Sequence, residues 1–391
     1  MSIDTDLNRS INLAHGYYIC DGIAFASKID AGIFSATVNK PIEWIFHQDV
    51  FSKHAWHIEP TESLDQLYDR RSRQLREKYD YLILSYSGGA DSNNILESFI
   101  RQGLHIDEIV INHLSRLTKK ITVLDPNVKS SWNFGAEHIL QATPRLQYIH
   151  DNLPKTKITE LDVSDMVLDC LKDFEKNDDW ALHTNGRITP SQVARYNYFH
   201  FGSMKKQFDK NLSIGIIVGV DKPKTHIKSN NNFYMSFNDR TVNIAPVDDF
   251  NVDYTNTTTE LFYWSTDSLD MLCKQAHIIK HWLEEQPARQ SFWRKTNSDV
   301  VKLVHERWLR RVLYTTWNND WFQANKSTNW AANEYDTWFR ADDSFARAHE
   351  GLQRGLQHLG KTIPDLIAYK NGKVDSIKQF SHEYCIGKMK E

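Results

Sequence analysis

Ser85, Ser87, Gly88, Gly89, Asp91 and Ser92 stand within one short stretch, and together these residue types suit an anion. Glycines lack a Cβ, so Gly88 and Gly89 can take unusual φ values and let the backbone approach a ligand closely. The N–H groups of such a loop, and of a helix that follows it, point at one place, where the helix dipole adds partial positive charge. Ser85, Ser87 and Ser92 add hydroxyl donors. Asp91 is the odd member. A carboxylate beside a phosphate is repulsive unless a cation lies between them, which implies Mg²⁺ at Asp91. The plainer reading is a Gly-Gly turn before a helix capped by Asp91 or Ser92.

The flanking residues supply the elements that such a loop needs. Leu82, Ile83 and Leu84 form an apolar run of the kind found in strands buried on both faces. From Asn93 onward, Ile95, Leu96, Phe99 and Ile100 recur at helical spacing. Residues 81 to 100 therefore read as strand, tight loop, helix.

Ser87-Gly88-Gly89-Ala90-Asp91-Ser92 resembles the SGGxDS signature of the PP-loop ATP pyrophosphatases. It is not a Walker loop, because no GxxxxGK[ST] occurs. The resemblance implies a Rossmann-like parallel sheet over about Tyr81 to Val220. It also implies ATP and Mg²⁺ as cofactors, held by Ser85, Ser87, Gly88, Gly89, Ala90, Asp91 and Ser92. Asn112 then borders the adenine at the end of the second strand. Members of this superfamily cleave ATP to AMP and pyrophosphate and adenylate a carbonyl or carboxylate oxygen. Within it, a phosphoadenylylsulfate reductase-like protein is the alternative, since Glu383-Tyr384-Cys385 loosely resembles that group's cysteine motif. Tyr384 interrupts the expected Glu-Cys adjacency, and a plain buried thiol at Cys385 is the simpler reading. SGGxDS proteins with large unassigned C-terminal regions also occur in bacteriophages, and this chain resembles them, which would suit nucleotide or nucleobase modification.

Elsewhere the chain offers cations to such a site. Leu212 to Val220 is the strongest strand after the loop strand, and it runs into Asp221-Lys222-Pro223-Lys224. Ligands of open α/β sheets bind beyond the carboxyl ends of strands, so Lys222 and Lys224 are candidates for the phosphates, with Lys326 a further one; the alternative is a surface turn with two solvated lysines. Ile106 to Asn112 and Lys157 to Leu161 read as further strands, and Phe233 to Asp239 as a strand packed under the 221–224 turn. Trp132 to Asp151 reads as a helix interrupted at Pro144. A helix opening at Thr61 carries Arg70, Arg71, Arg73, Arg76 and Lys78 on one face, which is either solvated or near a polyphosphate. Short apolar runs in 16–29 and 31–38 read as strands.

The chain of 391 residues calls for two domains, or one with large additions. We expect a mixed extension over 1–60, a nucleotide-binding domain over 61–250 and a mainly helical, Trp-rich domain over 251–391. Trp and Arg interleave in that last part and can stack on a nucleotide or nucleic acid, although such a stripe more often forms a helical core. A net charge of −3 gives no overall pull toward nucleic acid. Four cysteines without a CxxC pair disfavour thiolation and zinc-knuckle chemistry. Residue 2 is Ser and the first cysteine is Cys20, so an amidotransferase nucleophile at the start of the chain is not expected. No apolar run approaches the ~18 residues of a membrane span, and the polar N-terminus is unlike a signal peptide, so a cytoplasmic enzyme with a small-molecule or nucleotide substrate is expected. A non-catalytic nucleotide- or nucleic-acid-binding protein is the alternative from another class.

Overall fold

A computed structural model describes residues 15–113, 138–162, 211–239, 256–294, 308–318, 346–363, 367–370, 373–376 and 379–390. Near the start, Asp21 and Gly22 both take positive φ (48° and 80°) and turn strand β1 (Tyr17–Cys20) back into β2 (Ile23–Phe25). A two-residue turn with this twist matches that of the strands it joins. Residues 31–38, expected as a strand, are helical instead. The Ser27 side chain accepts the Asp30 N–H at the start of α1 (Lys28–Val38), and Asn39 closes it in the left-handed conformation. These two caps, which a hydropathy pattern does not register, decide the segment. Strand β3 (Ile42–Ile45) then pairs with β1, and a short α2 (Gln48–Phe51) follows.

Helix α3 (Leu64–Lys78) starts at Ser63 rather than Thr61. Ser63 Oγ accepts the Gln66 N–H while the Gln66 side-chain oxygen accepts the Ser63 N–H, so two otherwise unpaired donors each find an acceptor. Its basic face is partly solvated, with Arg73 and Lys78 exposed, and most of its cations are engaged in ion pairs. Arg71 is buried and meets Glu260 at 2.8 Å, Lys78 meets the same carboxylate at 2.8 Å, Arg76 meets Asp107 at 2.5 Å, and Arg70 meets Glu62 and Asp270. These pairs dock the helix on the sheet.

That sheet is parallel and five-stranded. In chain order its strands are β4 (Tyr81–Ser85), β5 (Glu108–His113), β6 (Lys157–Asp162), β7 (Ile214–Val218) and β10 (Thr257–Leu261). In space the order is β10-β7-β4-β5-β6, all neighbours parallel. The chain thus leaves β4 in one direction to β5 and β6, and later returns to the other side of β4. This is a doubly wound order compatible with a Rossmann-like fold. Its fifth strand comes from beyond residue 250. Helix α4 (Ala90–Arg101) follows β4, and its apolar side is buried through Ile95, Leu96 and Phe99. A single π-helical turn (His138–Ala142) leads into α5 (Thr143–Asn152), with Pro144 in the first turn where its missing N–H costs nothing.

Phe233 to Asp239 contains the expected strand, which belongs to a second, antiparallel sheet. Strand β9 (Asn232–Ser236) pairs on one side with β8 (Lys224–Ile227) and on the other with β13 (Tyr384–Lys388). The Asp239 carboxylate takes the Tyr18 hydroxyl at 3.0 Å and the Lys28 ammonium at 2.6 Å. Phe46, Phe51, Phe237, Trp264 and Tyr384 share one aromatic cluster. In the C-terminal half, α6 (Leu269–Glu284), preceded by a 3-10 turn capped by Ser265, is followed by α7 (Pro287–Arg294), a helical stretch at 308–313 and α8 (Ala346–Thr362). Helix α8 runs through Gly360. Strands β11 (Ile367–Lys370) and β12 (Lys373–Ser376) form a hairpin. Among the described residues no helix is long and apolar enough to cross a membrane.

Candidate functional site at the sheet's carboxyl edge

The strand order reverses at β4, so the segments that follow β4 and β7 leave the same edge side by side. The first is the Ser85–Ser92 loop. Of its two glycines only Gly88 needs the conformational freedom that glycine gives, with φ at +76°. Gly89 is extended at φ −71° and serves as the N-cap of α4, so neither Asp91 nor Ser92 caps the helix. Gly89 brings no side chain to the first-turn N–H groups, which leaves that helix end without a side-chain cap. The hydroxyls divide. Ser92 is buried and works inside the loop, accepting the Ser87 N–H at 3.3 Å and donating to the Gly89 carbonyl at 3.2 Å. Ser87 is exposed and accepts the Gly89 N–H. Ala90 is buried beneath, and Ser85 ends β4.

The second segment is Gly219 to Lys224. A Cβ at Gly219 would lie 3.2 Å from the Ser92 nitrogen and 3.3 Å from the Asp91 carbonyl carbon, so the two loops are in backbone contact. Beyond it, charges alternate in a chain. Lys224 meets Asp221 at 2.6 Å, Lys222 lies 3.6 Å from the same carboxylate, and Lys222 meets Asp91 Oδ1 at 2.5 Å. Lys222 and Asp221 are both buried. The two lysines therefore reach the expected edge, but they arrive paired with carboxylates rather than as uncompensated cations. Lys222 is itself a cation held against Asp91.

Two tyrosines from the C-terminal half complete the arrangement. Tyr314 donates to Asp91 Oδ1, with its ring 5.5 Å below the Lys222 ammonium. Tyr263 donates to the Asp91 carbonyl at 2.9 Å and accepts from Asn94 at 3.0 Å. Burial pulls the Asp91 carboxyl upward, and Asp221 adds to that. The Lys222 charge and the bonds from Lys222 and Tyr314 outweigh both and hold it below the usual carboxylate range. Burial and the Asp91 charge push Tyr314 well above its ordinary value, so it stays a donor.

On the other flank, the π-helical turn presses on the loop. A Cβ at Gly88 would lie 2.8 Å from the Ala142 nitrogen. Gln141, at 4% exposure, carries a buried Oε1 without a hydrogen-bond partner, and so does Asn112 Oδ1 near the end of β5. Lys326 lies outside the described residues. Cys385, expected to be buried, is exposed on β13.

Sequence reasoning missed Tyr263, Tyr314, Asp221 and Gln141 as members of this site. The alternating Asp-Lys-Pro-Lys run carried a signal for Asp221. The tyrosines carried none, since in an aromatic-rich half they read as core. No protein-family model matches the chain and no curated protein matches it, so the reading of this edge rests on its own geometry.

Proposed function

We propose that the chain is an ATP pyrophosphatase of the PP-loop kind, one that adenylates a carbonyl or carboxylate oxygen of a small-molecule or nucleotide substrate for ligation or amidation. One observation carries the reading: the Ser87–Ser92 loop leaves the central strand at the switch point of the sheet, with Lys222 from the neighbouring strand held against Asp91. Sites for adenine nucleotides in such sheets lie at this crevice. Bound there, ATP supplies the activated α-phosphate and pyrophosphate as leaving group.

The donors fit that ligand. The left-handed Gly88 and the first turn of α4 offer backbone N–H groups to phosphate oxygens. The unpartnered oxygens of Asn112 and Gln141 suit the exocyclic amine of an adenine. Asp91 and Asp221 are the carboxylates that would hold Mg²⁺, and Lys222 and Lys224, now neutralised by them, would turn to the phosphates. Because these four charges cancel, the helix end and the metal supply net positive charge for a polyphosphate. The acceptor substrate belongs to the Trp-rich helices of the C-terminal half, and Lys326 remains a candidate from the sequence. A cavity of about 510 Å³ there is lined by Trp282, Arg289, Phe292, Trp308 and Arg311, which suits a planar anionic ring system.

The test is to incubate the full chain with α-labelled ATP, Mg²⁺ and candidate carboxylates, amides and nucleotides. AMP and pyrophosphate are the expected products. Lys222→Met should lower their formation on the order of 10²–10³-fold, as does removal of one electrostatic contact to a developing charge. Formation of ADP, or unchanged turnover in Lys222→Met, would overturn the reading. A need for Cys385 would move the reductase-like alternative forward.

A further inference from the structure

We infer that His113, His138 and Glu160 bind a divalent transition-metal cation, at a site separate from the phosphate loop. The sheet register brings two of them together. Ile111 lies beside Glu160 and His113 beside Asp162. Side chains alternate along a strand, so His113 and Glu160 project from the same face at the carboxyl end. The π-helical turn crosses that face and adds His138. One donor atom from each residue falls within 4.8 Å of the other two. His138 Nε2 is 2.9 Å from Glu160 Oε2, and the two imidazoles stack at 4.2 Å with their planes 16° apart.

A second observation concerns His138 itself. Its Nδ1 is buried with no hydrogen-bond partner, while its Nε2 faces Glu160. Two imidazoles and a carboxylate are the donors of zinc-like sites that keep a fourth position for water. They are too nitrogen-rich for Mg²⁺ or Ca²⁺, which take oxygen ligands. Coordination of one ion requires both rings to turn about χ2 out of the stack. Glu160 is exposed, which gives the ion a way in. Single π-helical turns are frequent at functional sites, and this one also presses Gln141 and Ala142 on Gly88. The cation and the phosphate loop thus share one structural support.

A second cluster, Glu59, His277 and His281, does not carry the same inference. Lys274 holds Glu59 at 2.8 Å, where a cation would sit, and His277 is engaged by the Trp56 carbonyl at 3.0 Å. Those residues clamp the loop before α3 onto α6.

Metal-stripped full-length protein is titrated with Co²⁺ in the absence of nucleotide and followed by its visible absorption. One equivalent should bind and be displaced by Zn²⁺. Glu160→Gln, a surface change that leaves the fold intact by circular dichroism, should weaken binding roughly tenfold or more, and His138→Ala likewise. His281→Ala should bind as the wild type does. The inference is overturned if the wild type binds no Co²⁺, if Glu160→Gln retains full affinity, or if His281→Ala alone abolishes binding. Because no nucleotide is present, this outcome is independent of the ATP reading.

Discussion

Tyr314 and Lys222 reach the same oxygen of Asp91, one from the C-terminal half of the chain and the other from the segment after β7. Each contact can be weighed. A hydrogen bond to a charged group contributes about 1.5–3 kcal/mol, so Tyr314→Phe should lower stability by roughly that much. Lys222→Met should cost more, because it strands a carboxylate in a protein environment. Breaking a fully buried pair costs about 3–5 kcal/mol, and the 29% exposure of the Asp91 side chain reduces this. The double variant Lys222→Met/Asp91→Asn should recover part of the loss, since the penalty lies in the lone charge. Urea unfolding at neutral pH measures all three; a double variant no more stable than Lys222→Met would sink the account. The sign with pH follows from the lowered Asp91 carboxyl. Its contribution is complete above the ordinary carboxylate range and is lost only as the pH falls through the depressed value.

The loop before α3 shows how one carboxylate joins two elements. Glu59 takes Lys274 at 2.8 Å and His281 at 2.7 Å, both on α6. Burial pulls its carboxyl upward, but the bonds and charges of Lys274 and His281 prevail and bring it from 4.5 to about 2. A lowered carboxylate stabilises the fold above its unfolded value and loses that effect as the pH falls through the folded one. The melting temperature of the wild type should therefore exceed that of Glu59→Gln at pH 7. The gap should close between about 4.5 and about 2; a gap that persists at pH 2 would refute this. Elements of this size were unevenly legible in the sequence. Strand, loop and helix at 81–101 were readable because each signal is local: an apolar run, glycines and helical spacing. Helix α1 was misread because Ser27 and Asn39 decide it, not its hydropathy. The basic face of α3 was visible, but its purpose was not, because Glu260, Asp107 and Asp270 are far away in the chain. The same holds for the candidate site, where the loop and the lysines were readable and the tyrosines were not.

At the scale of the molecule, the last described residues complete a sheet begun in the middle of the chain. Tyr384, Ile386 and Met389 are all buried. Burying such side chains contributes about 1.5–3 kcal/mol each, and the sum approaches the whole net stability of about 5–15 kcal/mol typical of a folded protein. A chain ending at residue 380 should therefore show no cooperative melting transition by circular dichroism; an unchanged transition would show that β13 is dispensable. The pairing also bears on synthesis. The Phe237 N–H bonds to Ser381 Oγ across 144 residues of chain. At roughly 5–20 residues per second, the ribosome delivers that partner on the order of ten seconds or more after β9 has emerged. Throughout this interval one edge of β9, with Phe233 and Met235 on it, waits without its neighbour, and unpaired edges are where nascent chains adhere to one another. Folding of this part must wait until β13 has been synthesised, so yield in cells should depend on chaperone capacity more than on the stability of the finished protein.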